Sequence, residues 1–86
     1  MKIFTFTVKD PMGIHARPAG LLAKMAKTYP DTVITLTKGE KTVKMTQLMM
    51  LMGLAVKSGD TVSVSAEGAS EDAAIAALEQ FFQENL

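Results

Sequence analysis

Four stretches of this 86-residue chain alternate apolar and polar residues with period two, separated by turn residues or by a helical spacing, which points to a one-faced sheet backed by helices. From Lys2 to Val8, the side chains of Phe4, Phe6 and Val8 share one face and Ile3, Thr5 and Thr7 the other. Val33 to Thr37 repeats the pattern with Ile34 and Leu36 inward, and Lys38-Gly39-Glu40-Lys41 turns the chain into a third strand, Thr42 to Met45. In the fourth, Val62, Val64 and Ala66 alternate with Thr61, Ser63 and Ser65, and Gly68 ends it. Between these stretches, Ala19, Leu22, Ala23 and Ala26 fall at i, i+3, i+4 and i+7, predicting a helix from about Ala16 to about Thr28, stopped by Pro30. Gln47 to Val56 predicts a short apolar helix, and Lys57-Ser58-Gly59-Asp60 a turn. Ser70 is placed as the N-cap of a last helix running to near Asn85, whose apolar stripe is Ala74, Ile75, Leu78, Phe81 and Phe82. The order is βαββαβα. We expect a single domain over residues 1–86, an α+β open-faced sandwich with a four-stranded antiparallel sheet. The first and last helices would cover Phe4, Phe6, Ile34, Leu36, Val43, Met45, Val62 and Val64.

Composition narrows the function classes. A hydrophobic fraction of 48% with 21% charged residues is globular, and no apolar run approaches the ~20 residues of a membrane span. Nine basic and nine acidic residues cancel, so the long-range field that draws a protein to nucleic acid or anionic lipid is missing. With no cysteine there is no disulfide framework, and the N-terminus lacks the pattern of a signal peptide, so the expected location is cytoplasmic. One histidine and no cysteine make a poor metal site, so none is expected.

That one histidine stands in Gly13-Ile14-His15-Ala16-Arg17-Pro18-Ala19. His15 falls at or beside the N-cap of the first helix, where Pro18 is tolerated because first-turn amides have no intrahelical acceptor. The helix start, from Ala16 to Pro18, offers free N–H groups and a partial positive charge, and Arg17 adds a full one. A phosphate fits there, and a neutral imidazole beside it is a nucleophile for a phosphoryl group. The plainer alternative is a surface histidine that caps a helix. The turn residues Lys9-Asp10-Pro11-Met12-Gly13 favour an exposed loop end for His15.

Gly-Ile-His-Ala-Arg-Pro-Ala resembles the active-site signature of HPr, the family of histidine-containing phosphocarriers of the phosphoenolpyruvate:sugar phosphotransferase system. Chain length, the histidine's position and the order of elements are similar to that family as well. The resemblance implies that His15 accepts a phosphoryl group, through Nδ1, from phosphorylated enzyme I and passes it to EIIA domains of sugar permeases. Arg17 would stabilise the phosphate, no metal or organic cofactor would be needed, and the protein would act as a monomer. A carrier in a regulatory or dihydroxyacetone-kinase phosphorelay would have the same site. An RNA-binding α+β module is a third alternative, disfavoured because the open face carries Thr5, Thr7, Thr35, Thr37, Ser63 and Ser65 where such modules stack bases on aromatics.

The short helix is apolar almost all round, and a chain this small cannot surround it. With Leu51, Leu54 and Ala55 inward, Leu48, Met49 and Met52 would face out. The resemblance makes these three the partner-docking surface, with core filling as the alternative for any one of them. Methionine suits a surface that meets more than one partner. Gln47 occupies the position where many members of the family carry a regulatory serine; glutamine has no hydroxyl to phosphorylate, and Thr46 beside it is the nearest substitute.

Overall fold

A computed structural model describes the whole chain, Met1–Leu86. Its elements are β1 (Lys2–Thr7), α1 (Ala16–Lys27), β2 (Thr32–Lys38), β3 (Lys41–Lys44), α2 (Leu48–Gly53), β4 (Thr61–Gly68) and α3 (Glu71–Asn85). This is the expected βαββαβα order. The strands form one antiparallel sheet in the spatial order β1-β4-β2-β3.

Register explains the two faces. Phe4 pairs with Val64, Val64 with Leu36, and Leu36 with Val43, so one rung of apolar side chains crosses all four strands. The next rung is Thr5, Ser63, Thr37 and Thr42, on the opposite face. A one-residue slip would exchange these sets, so burial of the apolar face fixes the pairing. The hydroxyl face satisfies itself across strands, through Thr7–Thr61 at 2.9 Å, Thr37–Thr42 at 2.8 Å and Thr35–Ser65 at 2.5 Å between side-chain oxygens.

Helices close the apolar side. Phe82 of α3 is fully buried and meets Phe4 and Phe6 edge-to-face, with ring centroids 5.5 Å from each. Leu22 and Ala19 of α1 and Leu51 of α2 join the same core as Leu36, Val62, Val64 and Met45. Phe4 and Phe6 are only half-buried, because β1 is an edge strand.

Two local expectations need correction. Ala55, expected to face inward, is exposed and has φ 52°, the left-handed region that ends a helix and that a Cβ disfavours. Consequently α2 stops at Gly53 rather than running to Val56. Ser70 does hold the N-cap position of α3, but its hydroxyl makes no cap bond. It donates instead to Asp31 Oδ2 at 3.1 Å, while its N–H donates to Thr32 Oγ1 at 2.9 Å. The side chain therefore stitches the start of α3 to the entry of β2. Glu71 in the same turn has its carboxyl held below the ordinary value, first by the Met1 ammonium and then by the Gly68 N–H.

Candidate functional site

Three loop features set His15. Asp10 Oδ1 accepts the Met12 N–H at 2.8 Å and Asp10 O accepts the Gly13 N–H at 2.9 Å, which makes the turn after β1. Gly13 takes φ 65° with its α-carbon pressed against Val56, so that a Cβ there would collide with the Val56 carbonyl oxygen. Ile14 is buried and donates its N–H to the same carbonyl at 3.0 Å. The chain is thereby anchored one residue before His15.

His15 is the N-cap residue of α1, with extended backbone (φ −104°, ψ −171°). Its carbonyl accepts the Ala19 N–H at 3.0 Å, which begins the helix, but its ring makes no cap bond. His15 thus caps the helix through its backbone alone, and both ring nitrogens are unused within the chain. The amides of Ala16 and Arg17 have no acceptor in the chain, so two donors remain open at the positive end of the helix. Pro18 has no N–H; it is buried and shapes the cradle without donating to it. Arg17 is exposed and forms no ion pair, which leaves its guanidinium to an incoming anion.

His15, Arg17 and Pro18 line one depression of about 280 Å³, together with Asp10, Leu21, Phe81 and Asn85. Of the four residues expected at the site, His15, Arg17 and Pro18 meet here, while Ala16 is exposed and does not line the depression. Sequence reading did not bring Leu21, Phe81 and Asn85 to this site. Phe81 and Asn85 arrive from the last turns of α3, and no local spacing near His15 signals them. Asn85 is oriented by a bond from its side-chain N–H to Phe81 O at 3.1 Å.

The α2 helix lies beside α1, and its outer side is apolar. Leu48, Met49 and Met52 are all exposed, Met49 to 76%, whereas Leu51 and Leu54 are buried. Met50 is exposed too, as are Met12 before the site and Leu21 on α1. Met12 and Leu21 lie outside the short helix, where its spacing gives no signal of them, whereas Met50 lies on that helix but outside the outward set expected from its spacing. Gln47 is exposed at the N-cap of α2 without a side-chain cap bond, and Thr46 is half-buried. No helix is long and apolar enough to cross a membrane, and no group of three or more His, Cys, Asp or Glu side chains is placed to hold a metal ion.

Known proteins are similar to this chain in sequence and in fold. Residues 3–84 match the family model described as the PTS HPr component phosphorylation site. The chain is 41% identical over 78 residues to the phosphocarrier protein HPr of Lysinibacillus sphaericus, covering 91% of this chain and 88% of that one. It is 33% identical over 85 residues to the HPr of Mycoplasma genitalium, covering 99% and 97% of the two chains. Among solved structures, an HPr from Thermoanaerobacter tengcongensis superposes with a TM-score of 0.90 at 37% identity, over 96% of this chain and 92% of that one. A match that spans nearly the whole chain in sequence and in fold, around a histidine and an arginine lining one depression, places this chain in the HPr family of PTS phosphocarriers.

Proposed function

We propose that the protein relays phosphoryl groups within the phosphotransferase system, taking them from phosphorylated enzyme I onto His15 and giving them to EIIA domains of sugar permeases. The observation that carries this reading is the uncommitted His15 ring beside the unpaired Arg17 at an open helix start. In the accepting step a lone pair on the imidazole attacks phosphorus, the P–N bond forms, and the bond from phosphorus to the donor breaks. Arg17 and the Ala16 and Arg17 amides face the phosphoryl oxygens, where charge collects. The passing step runs the same chemistry in reverse toward a new acceptor, so the protein needs no cofactor of its own. It works in the cytoplasm as a monomer, each partner docking in turn on the same face. Incubation with phosphoenolpyruvate and enzyme I should give acid-labile phosphate on His15; its absence would refute the reading.

Arg17 holds the product of the first step and the substrate of the second. Arg17→Ala is expected to slow transfer by about 10- to 100-fold, since a charge-assisted contact of this kind contributes roughly 1.5–3 kcal/mol, and Arg17→Lys should recover only part. Stopped-flow transfer rates decide this, and a parent-like rate for Arg17→Ala would remove the clamp role.

Leu48, Met49 and Met52 form the docking surface in this reading, extended by Met50, Met12 and Leu21. Because Met49 is exposed, Met49→Glu should leave the thermal midpoint near that of the parent while raising KM for enzyme I. A variant that unfolds, or one that docks normally, would contradict the assignment. Gln47 and its missing hydroxyl leave this helix without the serine switch of related carriers.

A further inference from the structure

Lys38 joins two parts of the molecule that the relay needs, though it touches neither partner surface nor phosphate. It is the last residue of β2 and half-buried, and its ammonium donates to Leu54 O at 3.2 Å and Ala55 O at 2.9 Å. These carbonyls lie just past the end of α2, where the partial negative charge of a helix end favours a cation. Asp60 Oδ2 lies 3.2 Å from the same ammonium and also accepts the Lys57 N–H at 2.9 Å. The Asp60 carboxyl is accordingly held below its ordinary value, first by the Lys57 N–H and then by Lys38.

The segment held in this way, Leu54 to Asp60, has bonds on its other side to the phosphorylation loop. Val56 O accepts the Ile14 N–H, and Gly13 packs against Val56. A single short stretch therefore carries the end of the methionine helix and the anchor of His15. Two features make it dependent on an outside support. The α2 helix has only six residues, too few to be stable alone, and Ala55 sits in the left-handed region that an alanine resists.

We propose that Lys38, braced by Asp60, is a positioning residue that sets the exposed face of α2 relative to His15 and so tunes docking of the phosphoryl donor. The inference rests on the relay reading above. Lysine's length matters, because the ammonium reaches two successive carbonyls past the end of α2 while its stem remains at the end of β2. Without the ammonium, those carbonyls turn to water and the α2 end is free to shift.

The test uses Lys38→Met, which keeps the stem and removes the charge, with Lys38→Arg as the conservative variant and Lys38→Gln in reserve should Lys38→Met not fold. KM for phosphorylated enzyme I is expected to rise about tenfold in Lys38→Met, with kcat within about twofold of the parent and recovery in Lys38→Arg. A general loss of structure would lower kcat and the thermal midpoint without that split. Amide exchange gives a second readout that needs no partner, with faster exchange expected at Ile14 and at the end of α2. A folded charge-removed variant with parent KM overturns the proposal, and so does unchanged exchange at Ile14. Should the parent itself fail to accept phosphate, the relay reading fails instead, and exchange at Ile14 still decides whether the brace exists.

Discussion

His15→Ala should abolish phosphate acceptance outright while leaving the fold and its thermal midpoint nearly unchanged. The imidazole is the only nitrogen nucleophile lining the depression, and the Asp10 carboxylate beside it has Oδ1 engaged by the Met12 N–H, so loss of the ring leaves no group there to form a phosphoramidate. Stability is a separate matter. The ring is half-buried and makes no cap bond, and the bond that begins α1 comes from the backbone carbonyl of residue 15, which alanine retains. The cost is therefore expected within about 1 kcal/mol, because this N-cap residue has no side-chain cap bond to lose. Intact mass after incubation with phosphoenolpyruvate and enzyme I, read beside a thermal melt, separates the two quantities. A phosphorylated His15→Ala protein would move the acceptor elsewhere, whereas a collapsed melt would mean that the ring supports the core.

The candidate site was readable in sequence because its signals are local, while some of its surroundings were not. Alternation at Phe4-Thr5-Phe6 and Val62-Ser63-Val64 reports a property of the backbone itself, since successive side chains of a strand point to opposite faces; the strands and their inward residues follow directly. Helix spacing works in the same way for Ala19, Leu22 and Ala23. The signature around His15 is equally local, with turn, cap and arginine all within one loop and one turn of helix. Phe81 and Asn85 were not legible as site residues, because they arrive at His15 through the packing of α3 along the sheet, a relation between elements far apart in the chain. Ala55 was missed for a different reason. Its spacing suits an inward helical position, but the helix had already ended, and an alanine in the left-handed region has no sequence signature where a glycine would have given one. Ser70 likewise has the composition of a cap, yet its hydroxyl is claimed by Asp31 from another turn.

Gly13→Ala should be the most damaging single methyl addition near the site, costing about 3 kcal/mol of stability, and it should impair transfer through the backbone without touching His15. Two independent penalties add at this position. The first is conformational, because φ 65° places a Cβ too near the following carbonyl, at roughly 1–2 kcal/mol. The second is steric: the new methyl would run into the Val56 carbonyl oxygen and the Lys57 α-carbon, both backbone, which no side-chain rotation can clear, and overpacking of this kind costs roughly 1–3 kcal/mol. Relief requires the loop to move away from Val56, which lengthens the Ile14 N–H bond to the same oxygen and releases the residue that precedes His15. Gly39 supplies the control. It has φ 61° in the β2–β3 turn, but open space surrounds the position its Cβ would take, so Gly39→Ala should carry the conformational penalty alone. For a domain of this size about 3 kcal/mol corresponds to a fall of roughly 15 °C in thermal midpoint, and the control should fall by about a third to two-thirds as much. Chemical denaturation of the three proteins, with unchanged slopes, gives the free-energy differences directly. Equal destabilisation of the two variants would mean that the contact between Gly13 and Val56 does not hold the phosphorylation loop; a larger loss at Gly13, with faster exchange at Ile14 and slower phosphoryl transfer, is the result that ties the histidine's position to that contact.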